Sequence, residues 1–218
     1  MLKINIQLFG GRGAGGGGRY GGGGNVNILN AEVFGESEQY KGTQHEAVEL
    51  GLRVMDDVVS EYGANGGTLS EAQFDNGGVL GCCDRQGNVY IATGMMDIQN
   101  SNAAYDNDVK SGFHPSRGGY TALEAVAYHE FGHSLVDQAA IKMGIADSMN
   151  LATRIVNEAR SELKEKGVVI MARKISIYAT KNNHETVAEA FADVKCNGDK
   201  ASAVSKKVVE VLNRYAKS

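Results

Sequence analysis

The sequence predicts an α+β domain in which a small mixed sheet packs on helices. Two observations lead to this prediction: extended patterns of strand length alternate with segments of helical periodicity, and several helical segments begin with capping signals. The chain has 218 residues, which suits one sizeable domain. A Gly-rich stretch near the start marks the boundary of that domain, so we expect the folded part to cover residues 25–218.

Residues 10–24 form the clearest boundary, because eleven of these fifteen residues are Gly. Such a segment has high backbone entropy and little to bury, which predicts a flexible tether. With the residues before it, the tract makes up a leader over residues 1–24. Apolar residues alternate along residues 2–8, which is compatible with a strand that docks on a partner or on the domain's own sheet, and equally with a disordered leader.

The extended patterns predict three strands, over residues 26–34, 78–83 and 89–93. The second and third are joined through residues 84–88, whose Asp, Gly and Asn indicate a hairpin turn. Residues 95–119 are polar and contain the one Pro of the chain. We therefore predict a long loop there, of the kind that often shapes a site.

Two helices begin with capping boxes. Thr43 and Glu46 form the first, and the helix that they open stops at Gly63. Thr121 and Glu124 form the second, at the start of a long apolar segment. Further helices are predicted over about 149–166, 184–196 and 200–216.

Charge and cysteine content exclude several classes of protein. The net charge of −4 gives no reason to expect binding to nucleic acid or to an acidic membrane. An odd number of Cys, two of them adjacent, is unlike a disulfide framework and fits a reducing compartment. No run approaches the ~18 apolar residues of a membrane span. The N-terminus lacks the continuous apolar core of a signal peptide, so we expect the protein to start in a cytoplasm.

The most informative motif is an HExxH pentapeptide, His129-Glu130-Phe131-Gly132-His133, in the helix that begins after Thr121. Residues four apart lie on one face of a helix, one turn above each other. The two imidazoles can therefore bind one Zn²⁺, and Glu130 can act on a water that the metal activates.

A zinc ion held by two His needs a third protein ligand and leaves its fourth position open. The predicted helix over residues 184–196 offers Glu185, Glu189 and Asp193, each four residues from the next. Spacing alone leaves two arrangements. Either Glu185 binds the metal and Glu189 supports an imidazole, or Glu189 binds the metal with Asp193 as its support.

Three residues that follow the HExxH motif in the sequence match the spacing found in a known family of metallopeptidases. Tyr178 lies seven residues before Glu185, and Glu189 follows Glu185 by four. This arrangement is similar to the zincin metallopeptidases of the anthrax lethal factor and Pro-Pro endopeptidase type. The resemblance covers roughly residues 120–195 and implies a zincin-like fold with a zinc cofactor. It also implies that Glu185 is the third ligand, that Glu189 supports a ligand imidazole and that Tyr178 steadies the oxyanion.

The resulting expectation is a zinc-dependent endopeptidase that acts on a protein or peptide, with Glu130 as general base. A non-catalytic zinc-binding structural protein is an alternative, but it would need neither Glu130 nor Tyr178. A deformylase-like zinc hydrolase is a third interpretation, and it would take Cys82 or Cys83 as a ligand in place of Glu.

The leader carries a second resemblance. Residues 5–13 and the Gly tract are similar to the front ends of proteins encoded in the head gene cluster of tailed phages and prophages of Gram-positive bacteria. This similarity implies a phage or prophage origin and contact of the leader with phage head or portal proteins. It also implies a location in the cytoplasm of a bacterial host or in the virion.

The remaining histidines are expected outside the site. His45 lies in the first turn of its helix, and His114 lies in the predicted loop. His184 is adjacent to Glu185 and is expected to point to the surface.

Overall fold

The computed structural model describes residues 7–10, 28–34, 43–63 and 67–217. Over these ranges it is a mixed α+β structure, as predicted. The strands are β1 (Gln7–Gly10), β2 (Ile28–Val33), β3 (Leu69–Phe74), β4 (Val79–Cys83) and β5 (Val89–Ala92). The helices are α1 (Thr43–Tyr62), α2 (Ile98–Lys110), α3 (Ala122–Lys142), α4 (Ser148–Glu162), α5 (Val168–Arg173), α6 (Asn183–Asn197) and α7 (Ala203–Ala216).

These strands form one sheet in the order β1-β4-β5-β3-β2. β3 and β5 are parallel and the other neighbours are antiparallel, so the sheet is mixed, as predicted. The predicted hairpin joins β4 to β5, and its turn is closed by the Asp84 carboxylate, which accepts from the amides of Gln86 and Asn88. The sequence pattern does not indicate β3, because its buried Ser70 and Ala72 are small and give no apolar signal.

The first segment of the chain contributes a strand to this sheet. β1 lies at one edge and pairs antiparallel with β4. For residues 7–10, the structure therefore agrees with a strand docked on the domain's own sheet. The earlier part of that predicted strand lies outside the described residues, and so does the Gly-rich tract after Gly10.

The predicted loop over residues 95–119 is wrong in its first half, where α2 forms. Asp97 caps this helix, because its carboxylate accepts from the amide of Asn100 at 3.1 Å. Of the helix only Ser101 and Tyr105 are buried. Tyr105 is the one large buried side chain of the helix, and a single such residue produces no apolar periodicity from which a helix could be predicted.

Helix α3 is the central element of the molecule. Its predicted capping box is present, since Thr121 accepts from the amide of Glu124 and Glu124 accepts from the amide of Thr121. It packs against α1, α2, α4, α6 and α7 as well as against β4 and β5, so that nearly all its side chains are buried. Gly132 permits the close approach of α6, because a Cβ at this position would lie 2.9 Å from Cα of Ala188.

The other predicted helices are confirmed as α1, α4, α6 and α7, with small changes at their ends. α4 stops earlier than predicted, and Lys164 just beyond it has a φ of 54°, a left-handed conformation that ends a helix. Within the described ranges, no helix combines the length and the apolar character needed to cross a membrane.

Candidate metal centre

Three buried side chains direct one atom each at a common point. Nε2 of His129 lies 3.0 Å from Nε2 of His133 and 3.1 Å from Oε2 of Glu185. Nε2 of His133 lies 3.2 Å from the same Oε2. Exposure of the three residues is at most 1%. In the part of the chain that the structure describes, this is the group of His, Cys, Asp and Glu residues that could hold a metal ion.

The spacing of these atoms is a test of fit for a metal. Zinc bonds of about 2.0–2.1 Å in a tetrahedron place neighbouring ligand atoms about 3.3 Å apart. The three observed separations, 3.0, 3.1 and 3.2 Å, are slightly shorter than this edge. Two imidazole nitrogens and a carboxylate oxygen are also ligands that first-row divalent metals accept. The residues therefore fit a metal ion with three protein ligands.

Two rigid helices bring the ligands together. His129 and His133 lie one turn apart on α3, where the backbone ladder fixes their geometry. Glu185 lies in the first turn of α6, whose start is set by Asn182: its side-chain oxygen accepts from the amide of Glu185 at 2.9 Å. Because α6 crosses α3 at Gly132, the carboxylate reaches both imidazoles.

The second nitrogen of His129 is held by Glu189. Its Nδ1 lies 3.0 Å from Oε1 of Glu189, which suits donation to the carboxylate. The same carboxylate lies 3.3 Å from Nδ1 of His114 and accepts from the hydroxyl of Ser176 at 2.5 Å. The structure thus brings His114, which was expected outside the site, next to Glu189. Ser176 has no signal of its own in the sequence.

The second nitrogen of His133 is held by His184, so the prediction that His184 points to the surface is wrong. The two Nδ1 atoms are 2.7 Å apart, and His184 is fully buried. Nε2 of His184 lies 3.2 Å from Oγ of Ser148 and 3.5 Å from Oδ1 of Asp137. If Nε2 of His133 faces a metal, its proton is on Nδ1, so the ring donates to His184, which then donates onward through Nε2.

Asp193, the support in the second arrangement, lies away from the imidazoles. Its carboxylate accepts from the side chain of Asn197 at 2.9 Å and from the amide of Ser202 at 3.0 Å. Asp193 therefore connects the end of α6 to the start of α7. Cys82 and Cys83 are buried in β4 and are not among the residues that could hold the metal.

The charges of the four central groups depend on each other. Burial would raise the pKa of Glu185, but His133 and His129 lower it well below its usual range. Burial would likewise raise the pKa of Glu189, and the nearby His114 and His129 lower it to about 2. Burial opposes a charge on both ligand imidazoles. For His129 the hydrogen bonds to Glu185 and Glu189 outweigh burial and raise the pKa to about 9, whereas burial lowers that of His133 to about 4.

Glu130 has a different environment from the other carboxylates. It is fully buried, and neither of its carboxylate oxygens has a hydrogen-bond partner among the described residues. Its side chain lies against β4, where a Cβ on Gly81 would meet Cγ and Oε1 of Glu130 at 3.1 Å. Burial raises its pKa well above the usual range; His129 counteracts this and Glu185 adds to it. A cation at the metal site would favour the ionised form.

Tyr178 borders the same site. It lies in a short 3-10 turn (Tyr178–Thr180), and its ring centroid is 6.1 Å from that of His129. Its hydroxyl accepts from Nζ of Lys181 at 3.1 Å, and the same Nζ lies 3.5 Å from Oε1 of Glu185. Lys181 is about one-third exposed, so this corner of the site reaches solvent.

Comparison with known proteins finds no matching family model, no matching curated protein and no matching solved structure. The described residues combine a mixed α+β fold with a buried group of two imidazoles and a carboxylate that could hold a metal ion.

Proposed function

We propose that the protein is a zinc-dependent endopeptidase with a zincin-like arrangement of its two metal-binding helices. One observation carries the proposal. The atoms of His129, His133 and Glu185 converge next to Glu130, a buried carboxylate whose oxygens have no hydrogen-bond partner among the described residues. Such a carboxylate is costly unless it serves a ligand or a reaction.

We assign zinc to this donor set because catalytic zinc sites commonly have three N and O ligands and one open position, and because the two imidazoles belong to an HExxH motif. When bound, zinc would polarise a peptide carbonyl and lower the pKa of a water molecule. The hydrogen-bond partners of both imidazoles agree with the assignment of a metal at this site. Glu189 holds Nδ1 of His129 and His184 holds Nδ1 of His133, so each ring can present Nε2.

Glu130 is the general base in this proposal. Its carboxylate is adjacent to the ligands in sequence and has no competing donor among the described residues, so it is available to a water molecule in the site. It would accept the proton of the attacking water and then transfer that proton to the leaving amine. Glu189 cannot take this role, because three donors already surround its carboxylate.

Tyr178 would stabilise the developing negative charge. Its hydroxyl lies at the solvent-facing corner of the site and accepts from Nζ of Lys181, and a hydroxyl group can in addition donate to a substrate carbonyl oxygen that reaches this corner. The substrate in this proposal is a protein or peptide. The resemblance of the leader supports a phage or prophage origin, with head or portal proteins as partners and the bacterial cytoplasm or the virion as location.

A structural zinc site is the main alternative, and it would usually be closed by a fourth protein ligand. Among the described residues, the group that could hold a metal contains three. A catalytic site with an open metal position and a base beside it therefore explains the buried Glu130 as well as the three possible ligands, whereas a structural site explains only the ligands.

The proposal is tested by zinc content and peptide cleavage in three variants. We expect the parent to hold one zinc ion per chain and to cleave members of a synthetic peptide library, read by mass spectrometry. Glu130→Gln should keep zinc but lose activity by about 10²- to 10⁴-fold, because it removes the general base. Glu185→Ala should lose both. Glu49→Gln, an exposed Glu on α1, is the matched control and should match the parent.

Two results would contradict the proposal. Full activity in Glu130→Gln would exclude the mechanism. A parent that holds no zinc after the metal is added back would leave a non-catalytic structural protein as the better account.

A further inference from the structure

We infer, on the basis of the proposed function, that the outer edge of β4 binds an extended polypeptide beside the metal site, and that residues 7–10 of the same chain occupy this edge as a competitor. The N-terminal segment would then regulate access to the site. Three features of the described residues support this: the position of β4, its pairing with β1, and the distance to the opposite edge of the sheet. The sequence adds a fourth, the number of residues between β1 and β2.

β4 runs directly along the proposed catalytic residue. A Cβ on Gly81 would lie 3.1 Å from Cγ and Oε1 of Glu130 and 3.0 Å from Cγ1 of Val126. At Gly81 the backbone of β4 therefore lies close against the HExxH helix, with no room for a side chain between them. A polypeptide bound along β4 at Gly81 would pass close to Glu130.

The inner edge of β4 is bonded to β5, so only its outer edge could take an additional strand. An open strand edge presents backbone N–H and C=O groups, and extended peptides bind proteins by adding a strand to such an edge. The other edge of the sheet is β2, which is separated from β4 by β5 and β3. β4 is thus the strand edge nearest to Glu130.

β1 takes this position in the structure. It pairs antiparallel with β4 and contacts α3. The register sets Gln7 opposite Cys83, Leu8 opposite Cys82 and Phe9 opposite Gly81. The backbone of the N-terminal segment therefore passes the residue that touches Glu130. A substrate strand would need the same backbone groups of β4, so the two cannot be bound together.

The connection after β1 is long enough for β1 to leave. Residues 11–27 join β1 to β2, which lies at the opposite edge of the sheet. Four strand spacings amount to about 19 Å. These seventeen residues can span up to about 56 Å when extended. β1 can therefore separate from β4 while β2 keeps its place in the sheet.

A segment tethered in this way is a strong competitor even if it binds weakly. Short linkers that can span the distance between their two ends give effective concentrations on the order of millimolar. A free peptide with the same affinity for β4 would therefore bind poorly to the intact chain. Its apparent affinity should increase once β1 no longer pairs.

The test uses the full chain with two substitutions in β1, Gln7→Pro and Leu8→Pro. Proline has no N–H and is excluded from a paired strand, and two consecutive prolines remove at least one bond to β4. The control, Gly15→Pro with Gly16→Pro, carries the same prolines within the Gly tract. The probe is a fluorescent synthetic peptide of residues 2–10. We expect it to bind the β1 variant about tenfold or more tightly than the parent or the control.

A second measurement needs no variant. In the parent, every amide of β4 should exchange slowly with deuterium in an NMR experiment, including the alternate amides that do not bond to β5. Fast exchange of those amides would overturn the inference, as would equal peptide affinity in all three chains. If the β1 variant proves unfolded by circular dichroism, the exchange rates of the parent decide alone.

Neither readout depends on cleavage. Peptide binding at the vacated edge without any peptidase activity would contradict the proposed function alone. If the protein is an active peptidase but the β1 variant binds the peptide no more tightly than the parent, only the inference that residues 7–10 compete for β4 is contradicted.

Discussion

The imidazole nitrogens of His129 and His133 that face away from the candidate metal site both have buried hydrogen-bond partners. Nδ1 of His129 bonds to Glu189, and Nδ1 of His133 lies 2.7 Å from His184. Partners of this kind fix the tautomer and the rotation of a ligand ring. Glu189 and His184 are therefore expected to contribute to metal affinity although neither is proposed as a ligand.

We expect His184→Ala to weaken zinc binding by about 10- to 100-fold, because the ring of His133 loses its buried partner. Competition with a chromogenic chelator measures this affinity. His45→Ala, which removes an exposed His on α1, is the matched control and should leave it unchanged. Unchanged zinc affinity in a folded His184→Ala protein would show that His133 is oriented by other contacts.

Sequence reasoning reaches the residues of the HExxH motif and misses the partners of their imidazoles. His129, Glu130 and His133 follow from helical spacing alone, because four residues make one turn. The buried position of His184 is not predicted, because adjacent residues on a helix point about 100° apart. A residue next to Glu185 is therefore expected at the surface if Glu185 faces the metal site. Helix α6 is buried on nearly every side, so both residues face the interior. That burial is a property of the assembled fold.

At the scale of elements, the crossing of α3 and α6 depends on one missing side chain. A Cβ on residue 132 would lie 2.9 Å from Cα of Ala188 and 3.1 Å from Cβ of Phe191. The first of these atoms belongs to the backbone and cannot rotate away. The two ligand-bearing helices can therefore approach this closely only with Gly at position 132.

Gly132→Ala should destabilise the protein by about 1–2 kcal/mol in urea unfolding, because overpacking of a core costs about 1–3 kcal/mol and the better helix propensity of Ala offsets about 1 kcal/mol at most. Gly94→Ala is the control, since its Cβ would have no atom within 4 Å. A Gly132→Ala protein as stable as the parent would mean that α6 can shift without loss.

The contact of α1 with Lys195 and Lys217 predicts that the free energy of unfolding depends on pH. Glu61 on α1 accepts from Lys195 on α6 at 2.6 Å and from Lys217 at 2.9 Å. Burial acts to raise its pKa, but the two lysines lower it below 4.5 overall. The folded state therefore binds this proton less readily than the unfolded state, so the stabilisation is present above pH 4.5 and is lost as the pH falls through the lowered pKa.

Glu61→Gln should thus reduce the free energy of unfolding by up to about 1 kcal/mol at pH 7, a small value because solvent screens the partly exposed carboxylate. The difference from the parent should shrink toward zero in melts at about pH 3. Glu49→Gln, at an exposed position on the same helix, supplies the comparison. A difference that is equal at both pH values would show that the lysines do not matter.

Helices and turns that depend on a local hydrogen-bonding motif can be predicted from the sequence, whereas elements that depend on packing cannot. The capping box of α3 and the turn between β4 and β5 depend on local hydrogen bonds, so the sequence indicates both correctly. β3 lacks such a signal and α2 has only the Asp97 cap, because the residues that both elements bury are mostly small or polar, such as Ser70 and Ser101. Their structure is decided by packing.

At the scale of the whole molecule, the proposed zinc ion links the two helices at the centre of the core. Zinc at 1,000 times its dissociation constant should stabilise the fold by about 4 kcal/mol. For a chain of this size, that corresponds to a rise in melting temperature on the order of 10 °C. Calorimetry with and without EDTA measures the shift, and Glu185→Ala should show little of it. An equal shift in Glu185→Ala would place the stabilising ion elsewhere.

The separation of the ligands along the chain has a consequence for the order of folding events. His129 and His133 can come together as soon as α3 forms, whereas Glu185 is more than fifty residues later and arrives only when α6 docks. At the proposed site an ion can therefore bind to two of its three protein ligands early and weakly, and it gains the third ligand when α6 docks. We expect chelation to accelerate unfolding more than it slows refolding, because the third ligand joins the site only when α6 docks on α3.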